Sequence, residues 1–307
     1  MQRKETERAD KLKIGVVLTD PGDWTARAYL KTIHRRGANA VPITLSALSA
    51  SLSTSAFSIL DADLKCLELD TILVRDVGIS HSLEQISFKF DLLRQFERAQ
   101  IPVLNSPTAI QTAANKFFSF YLFQRAHLPI PRTTITSDVA VALRRIEELG
   151  CVVAKPIFGS QGKGIIKLER TQSGLTQDLA ELLRRRGVLY LQEFVPNPGR
   201  DIRVFVVGEE ALGAMYRVSP GDSFVSNLSQ GGTPVVCSLT DEMQALAVRA
   251  ANAVGADFAG VDLIESEEGL VLLEVNATPS GKGLKRACGI DVTGRIIDRC
   301  LSGLRSA

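Results

Sequence analysis

Two kinds of sheet are predicted for this 307-residue chain. One is parallel, packed with helices and N-terminal; the other is antiparallel and C-terminal, so an α/β plan passes into α+β. Three observations carry the prediction. Strand-like and helix-like runs alternate up to residue 104, which implies a parallel sheet. A glycine-rich loop then joins two strand-like runs. From Asp201 onward several strand-like runs follow one another without helices between them, as antiparallel sheets do.

The first 12 residues form a polar tail. Lys13 to Leu18 is β-rich and ends in the turn residues Thr19 to Asp23. A helix fits from Trp24 to about Arg36, stopped by Gly37. Ala40–Leu45 and Thr71–Val74 suit strands, Leu83–Ala99 a helix, and Ile101–Leu104 closes the region. The Ser/Ala/Leu-rich stretch 46–70 has no clear pattern. Asn105-Ser106-Pro107 opens a helix running to about Ala126, since proline favours a first helical turn. A helix over Asp138–Leu149 ends at Gly150, before the strand Cys151–Ala154. After the glycine-rich loop come a strand at Ile165–Leu168, a helix over Leu175–Arg186 and a strand at Val188–Gln192. Strands at Ile202–Val207 and Ala211–Arg217, a helix over Asp241–Val254, and strands at Gly260–Ile264 and Leu270–Val275 complete the pattern. The expected divisions are 1–104, 105–190 and 191–307.

Hydrophobic residues make up 45% and charged residues 23%, with a net charge of +2. That is ordinary globular composition, with no overall field toward nucleic acid or an anionic membrane. Five scattered cysteines without a CxxC pair suit reduced thiols better than disulfides or a zinc site. The charged start lacks the apolar core of a signal peptide, and no apolar stretch is long enough to span a bilayer. A cytoplasmic location is therefore expected. The three histidines are isolated, and GxSxG, HRD and DFG patterns are absent, which lowers hydrolase and protein-kinase readings.

The chemistry concentrates in a few segments. Lys155 precedes Gly159-Ser160-Gln161-Gly162-Lys163-Gly164. Three glycines in six residues let backbone N–H groups approach anionic oxygens, and the two lysines add point charges. The loop leads into a strand and lacks GxxxxGK[ST], unlike a P-loop. It reads as a hairpin flap over a triphosphate, or as a tight hairpin only. Sharper is the pair Gly260-Val261-Asp262-Leu263-Ile264 and Leu270-Val271-Leu272-Leu273-Glu274-Val275-Asn276. A register with Asp262 opposite Glu274 also sets Val261 against Val275 and Leu263 against Leu273, leaving one face apolar. Acids on so apolar a hairpin suit an Mg²⁺ bridging protein oxygens and phosphates, or else an edge facing solvent. Gln192-Glu193-Phe194-Val195 suits a connector whose backbone reads an adenine edge and whose carboxylate holds a ribose, or a plain strand end. Asp201 and Arg203, two apart, share a face, which also suits a structural ion pair. Ser226 to Gly232 is a polar, glycine-rich loop, for substrate or merely at the surface.

In their order and spacing these segments resemble the ATP-grasp superfamily, and within it the RimK-type amino-acid ligases. The resemblance runs from about Asn105 to Ile297. It implies a pre-ATP-grasp domain (1–104), a central subdomain with the flap (105–190) and a C-terminal subdomain with the metal site (191–307). It further implies that Lys116, Lys155 and the Gly159–Gly164 loop hold the phosphates of ATP, and that Gln192, Glu193, Phe194 and Val195 hold adenine and ribose, with Asp201 nearby. Asp262, Glu274 and Asn276 become Mg²⁺ ligands, for two ions, with Mn²⁺ as a substitute. Arg203 and Arg217 stabilise the transferring phosphoryl group, and Asn227 positions substrate. The implied function is carboxylate–amine ligation through an acyl phosphate, adding an amino acid, L-glutamate by the family's habit, to a small coenzyme-like or peptide acceptor. Neither nucleic acid nor membrane is an expected partner, and the family allows a homo-oligomer. A small-molecule kinase, or a regulatory protein that binds nucleotide without turnover, would use the same segments. Three positions depart from the family pattern. Gln230 stands where a basic residue is common, Val225 where an arginine precedes Ser-Asn, and Asn115 where an acid precedes the first lysine.

Overall fold

The computed structural model describes residues 11–80, 82–159, 162–221, 226, 228 and 231–305. The chain divides into two compact units: residues up to Pro107 with those from Thr293 on, and Thr108–Val292.

The first unit begins with β1 (Lys13–Val17), α1 (Trp24–Arg35), β2 (Asn39–Ile43), β3 (Ser49–Leu52), β4 (Phe57–Leu60), β5 (Thr71–Val74), α2 (Leu83–Arg98) and β6 (Val103–Leu104). Its main sheet has the order β2-β1-β5-β6 and is parallel throughout, as the alternating pattern requires. Asp23 caps α1 by accepting from the Thr25 and Ala26 amides. The patternless stretch 46–70 contains the hairpin of β3 and β4, in which β3 is wholly exposed. An exposed strand has no buried face, so it has no alternation to read.

The second unit carries α3 (Pro107–Ala114), α4 (Lys116–Arg125), β7 (Thr133–Thr136), α5 (Val139–Leu149), β8 (Cys151–Lys155), β9 (Ile166–Glu169), α6 (Leu175–Arg186) and β10 (Leu189–Glu193). It continues with β11 (Arg200–Val207), β12 (Glu210–Val218), β13 (Thr233–Cys237), α7 (Asp241–Ala253), β14 (Phe258–Ser266), β15 (Gly269–Asn276) and α8 (Lys282–Cys288). The last helix, α9 (Val292–Arg305), packs within the first unit. There Arg36 holds Asp298 through two hydrogen bonds, and Cys300 lies buried 3.7 Å from the Thr71 hydroxyl. No helix among the described residues is long and apolar enough to cross a membrane.

Two antiparallel sheets organise the second unit, in the orders β7-β10-β8-β9 and β13-β12-β11-β14-β15. The first is covered on one face by α5 and α6: Val152, Ala154, Leu189 and Leu191 pack with Ile146, Leu179 and Leu182. Period-two alternation sends Val153, Lys155, Tyr190 and Gln192 to the opposite face. The helix expected over 105–126 is broken at Asn115. Its side chain accepts from the Phe118 amide and starts α4 afresh as an N-cap.

Candidate active site

One cleft in the second unit is lined by Val153 and Lys155 of β8, Ile165 before β9, and Gln192 to Val195 around β10. From the five-stranded sheet it takes Arg200, Asp201, Arg217, Asp262, Ile264, Leu273 and Glu274, with Ser226 beside them. Two sheets thus present their uncovered faces to the same space. The lysine and carboxylate segments, more than 100 residues apart in sequence, meet there.

At the flap end, Lys116 opens α4 with its amide on the Ile157 carbonyl. Its ammonium donates to the Gly159 carbonyl at 2.9 Å and lies 3.5 Å from Glu274. The Lys155 ammonium donates to Gln192 Oε1 at 2.6 Å. Burial pushes its pKa down to about 8, a fall opposed by Glu274 and assisted by Lys116. Gly162 and Gly164 take φ of 74° and 73°, the left-handed region that glycine enters freely. Lys163 is exposed, and it is not one of the cleft's lining residues. Ser160 and Gln161 lie outside the described residues, as do Asn227 and the departures Val225 and Gln230.

The charged floor is built across strands. Asp201 lies opposite Arg217, and Arg203 opposite Asp262. Arg217 donates to both Asp201 oxygens, at 2.6 and 2.5 Å, and to Asp262 at 2.9 Å. Arg203 grips Asp262 with Nε and Nη2, and the Ser226 hydroxyl closes on Asp201. The same-strand pair suggested by the spacing of Asp201 and Arg203 is replaced by these two cross-strand pairs. Cross-strand neighbours sit closer than residues two apart on one strand. Burial alone would raise the Asp262 carboxyl, but the two guanidiniums hold it below the usual carboxylate range. The same carboxylates push the Arg217 pKa up against its own burial. Gly260 makes this possible: a Cβ there would stand 2.8 Å from Arg203 Nη1 and 2.9 Å from its Cδ.

Asp262 does face Glu274, and Val261 faces Val275, as the pattern predicts. Leu263, however, pairs with Leu272 rather than Leu273, because the register shifts between Asp262 and Leu263. The bulge leaves Leu273 unpaired and turns it into the cleft beside Glu274. With Val153, Ile165 and Ile264 it forms an apolar wall that the motif reading missed. Alternation with Lys155 and Asp262 signals Val153 and Ile264; nothing in the sequence signals the bulge. Glu193 borders the cleft, yet its carboxylate is taken by Arg132, at 2.8 and 3.0 Å. Those hydrogen bonds hold its pKa down. Alternation along β10 turns this side chain to the face opposite Gln192.

The donor set suits a hard cation. Among the described residues no three His, Cys, Asp or Glu side chains form a metal cluster. The candidate ligands are instead two carboxylates and an amide. A carboxylate offers about four acceptor positions, and the arginines occupy three at Asp262. Glu274 is about one-third exposed and lies 3.5 Å from the Lys116 ammonium. The Asn276 oxygen accepts from the Thr278 amide at 2.9 Å. These are oxygen ligands that magnesium accepts alongside phosphate and water.

Residues 113–300 match the RimK-like ATP-grasp domain. The chain belongs to the RimK-like ATP-grasp family. It is 41% identical to the tetrahydromethanopterin:alpha-L-glutamate ligase of Methanosarcina acetivorans, over 93% of this chain and 98% of that one. The protein of the same description from Methanocaldococcus jannaschii is 38% identical, over 78% and 81%. Among solved structures, the ATP-grasp ligase PsnB complexed with a phosphomimetic variant of its minimal precursor, Mg and ADP has the same fold. Its TM-score is 0.76 at 21% identity, covering 96% of this chain and 99% of that one. The RimK domain ATP-grasp protein of Sphaerobacter thermophilus gives 0.69 at 20% identity, over 94% and 99%. A parallel sheet followed by two antiparallel ones is thus the ATP-grasp plan. As a RimK-like ATP-grasp ligase, the protein uses ATP to join a carboxylate to an amine.

Proposed function

We propose that this RimK-like ligase joins the amine of L-glutamate to a carboxylate of a tetrahydromethanopterin-like coenzyme, releasing ADP and phosphate. The observation that carries the reading is the meeting of Lys116, Lys155, Arg203 and Arg217 with Asp201, Asp262 and Glu274 at one cleft floor. Four cations against three carboxylates leave a positive balance for a polyphosphate. The near full-length identity to a tetrahydromethanopterin glutamate ligase supports the choice of substrates.

In this reading Lys116 and Lys155 take the phosphates of ATP, and Lys116 exchanges its bond to the Gly159 carbonyl for a phosphate oxygen. The apolar wall of Val153, Ile165, Ile264 and Leu273 covers the adenine face, and the backbone around Glu193 to Val195 meets its polar edge. Arg203 and Arg217, held rigid by Asp262 and Asp201, neutralise charge on the transferring phosphoryl group without reorganising. An acceptor carboxylate oxygen attacks the terminal phosphorus, the bond to ADP breaks, and an acyl phosphate forms. The glutamate amine then attacks the acyl carbon, phosphate leaves, and the amine gives up its proton. Asp262, Glu274 and Asn276 would hold magnesium, two ions being expected and Mn²⁺ suiting the same oxygens; the metal supplies charge neutralisation at the phosphates. The glycine flap keeps water from the acyl phosphate.

The test combines purified protein, ATP, magnesium, glutamate and a reduced pterin acceptor. Phosphate release with a product heavier by one glutamyl residue is expected. Hydroxylamine in place of glutamate should yield a hydroxamate, which a kinase product would not. Phosphate release with no hydroxamate and no glutamyl product overturns the reading.

A pH dependence arises from Lys155. Bound phosphates favour its ammonium, so its pKa in the complex exceeds the value of about 8 in the free protein. Affinity for metal-free ATP should be full below that pH. It should fall by up to about tenfold per pH unit above it, with a proton taken up on binding. Calorimetric titrations in buffers of differing ionisation enthalpy report both. Lys155→Met should bind weakly with no such slope, and a flat wild-type profile would remove Lys155 from the phosphate site.

A further inference from the structure

A row of hydrogen bonds crosses three neighbouring strands of the sheet β7-β10-β8-β9 and ends on the Lys155 ammonium. Gln192 of β10 lies directly opposite Thr133 of β7, so the two side chains share the face that carries Lys155. Gln192 is 2% exposed and uses both ends of its amide. Its oxygen accepts from the Lys155 ammonium at 2.6 Å, and its nitrogen donates to the Thr133 hydroxyl at 3.3 Å. That hydroxyl in turn donates to the Pro131 carbonyl at 2.9 Å. Burial pushes the pKa of the Tyr190 phenol up, so it keeps its proton, and it is hydrogen-bonded to the same Thr133 hydroxyl.

The protons of this row fit in one way. A hydroxyl has one proton to donate and two positions that accept. With its proton on Pro131, Thr133 accepts from the Gln192 amide and from the Tyr190 phenol, and its capacity is full. The amide nitrogen must then face Thr133, and the amide oxygen must face Lys155. Turned over, the amide would set oxygen against oxygen at one end and its NH₂ against an ammonium at the other. Mismatches of that kind are costly at a buried site. Thr133 itself does not line the cleft and reaches it only through Gln192. What it governs there is a point charge on a flexible four-carbon stem. A fixed oxygen beside that charge orders it in advance, which lowers the cost of binding an anion.

We propose that Thr133 is a positioning residue of the ATP site: it fixes which way the Gln192 amide points, and the amide oxygen fixes the Lys155 ammonium. The inference rests on Lys155 taking phosphates of ATP, as proposed above. Valine at this position would keep the shape of threonine and offer no acceptor. The Tyr190 oxygen lies 3.5 Å from the Gln192 nitrogen. Deprived of Thr133, the phenol would compete with Lys155 for the amide oxygen, and the amide would lose its single orientation.

The experiment uses the full chain, magnesium and a non-hydrolysable ATP analogue, with Kd read by calorimetry beside a melting curve. Thr133→Val should weaken binding about tenfold, the scale of one hydrogen bond to a charged group. Thr133→Ser returns the hydroxyl and should bind within about twofold of wild type. Gln192→Glu presents an oxygen on both sides, so no wrong orientation is left to prevent. In that background the valine change should weaken binding no further, whereas a merely structural role would weaken it equally in both. If the valine variant does not fold, Thr133→Cys decides, since a thiol accepts only weakly and should bind between valine and serine. Wild-type affinity in Thr133→Val or Thr133→Cys, a serine variant as weak as valine, or equal weakening in both backgrounds overturns the proposal. Lys155→Met is the control: if it binds as tightly as wild type, the phosphate reading falls instead, whatever Thr133 does.

Discussion

Glu274→Gln is expected to fold as the wild type does and to lose turnover by about a thousandfold or more. The two effects separate because of where the side chain sits. It is about one-third exposed, and its one ion pair among the described residues is with Lys116 at 3.5 Å, so that pair adds little to stability. Glutamine preserves the volume beside Leu273, leaving no cavity. What goes is one anionic oxygen at the position proposed for magnesium. A thousandfold loss corresponds to about 4 kcal/mol of transition-state stabilisation, within the range that charge neutralisation of a phosphoryl group supplies. Phosphate release followed across a magnesium titration, beside a melting curve, checks both halves. A melting temperature within about 2 °C of wild type, with activity partly recovered at high magnesium, is the expected pattern. Activity within about tenfold of wild type at ordinary magnesium would remove Glu274 from the metal site.

Asp262→Ala should do more, because this carboxylate is structural as well. It is 4% exposed and holds both Arg203 and Arg217. Without it Arg203 loses its bidentate partner, and Arg217 keeps only Asp201. Breaking a buried pair in this way costs about 3–5 kcal/mol, mostly from the charge left behind. A fall of roughly 10 °C in melting temperature is expected, together with complete loss of amide formation. The double variant Asp262→Ala/Arg203→Met removes the stranded guanidinium and should regain part of the stability but none of the activity. If the single variant melted at the wild-type temperature, the carboxylate would not be what holds the arginines, and their rigidity would need another source.

How much of this was legible beforehand depends on whether the information is local. Alternation along β14 and β15 predicts Asp262 opposite Glu274, because a one-residue slip would place acids in the core. The turn chemistry around Gly159–Gly164 likewise announces a loop able to meet anions. The bulge that presents Leu273 has no such signature, since inserting one residue into a ladder changes no composition. Partner choice was hidden for a related reason. Spacing places Asp201 and Arg203 on one face, but which carboxylate meets which arginine depends on strand order, and β11 lies between β12 and β14. The pairing of the Glu193 carboxylate was hidden because its partner, Arg132, is 61 residues away in sequence. Asn115 reads as helix interior from composition and becomes a cap only because its side chain competes with the backbone for the Phe118 amide.

The return of α9 to the first unit bears on how the protein is made. Arg36 waits for Asp298, 262 residues further on, and the buried Ile296, Ile297 and Cys300 come with it. During synthesis the first unit therefore lacks a piece of its core until residues 293–305 have been made. The second unit, whose strands pair over much shorter separations, has all its own residues by then. Its folding should come first, because the entropy of closing a loop grows with the length of slack chain to be gathered. The unit that carries the chemistry would then be complete while the other still waits for α9.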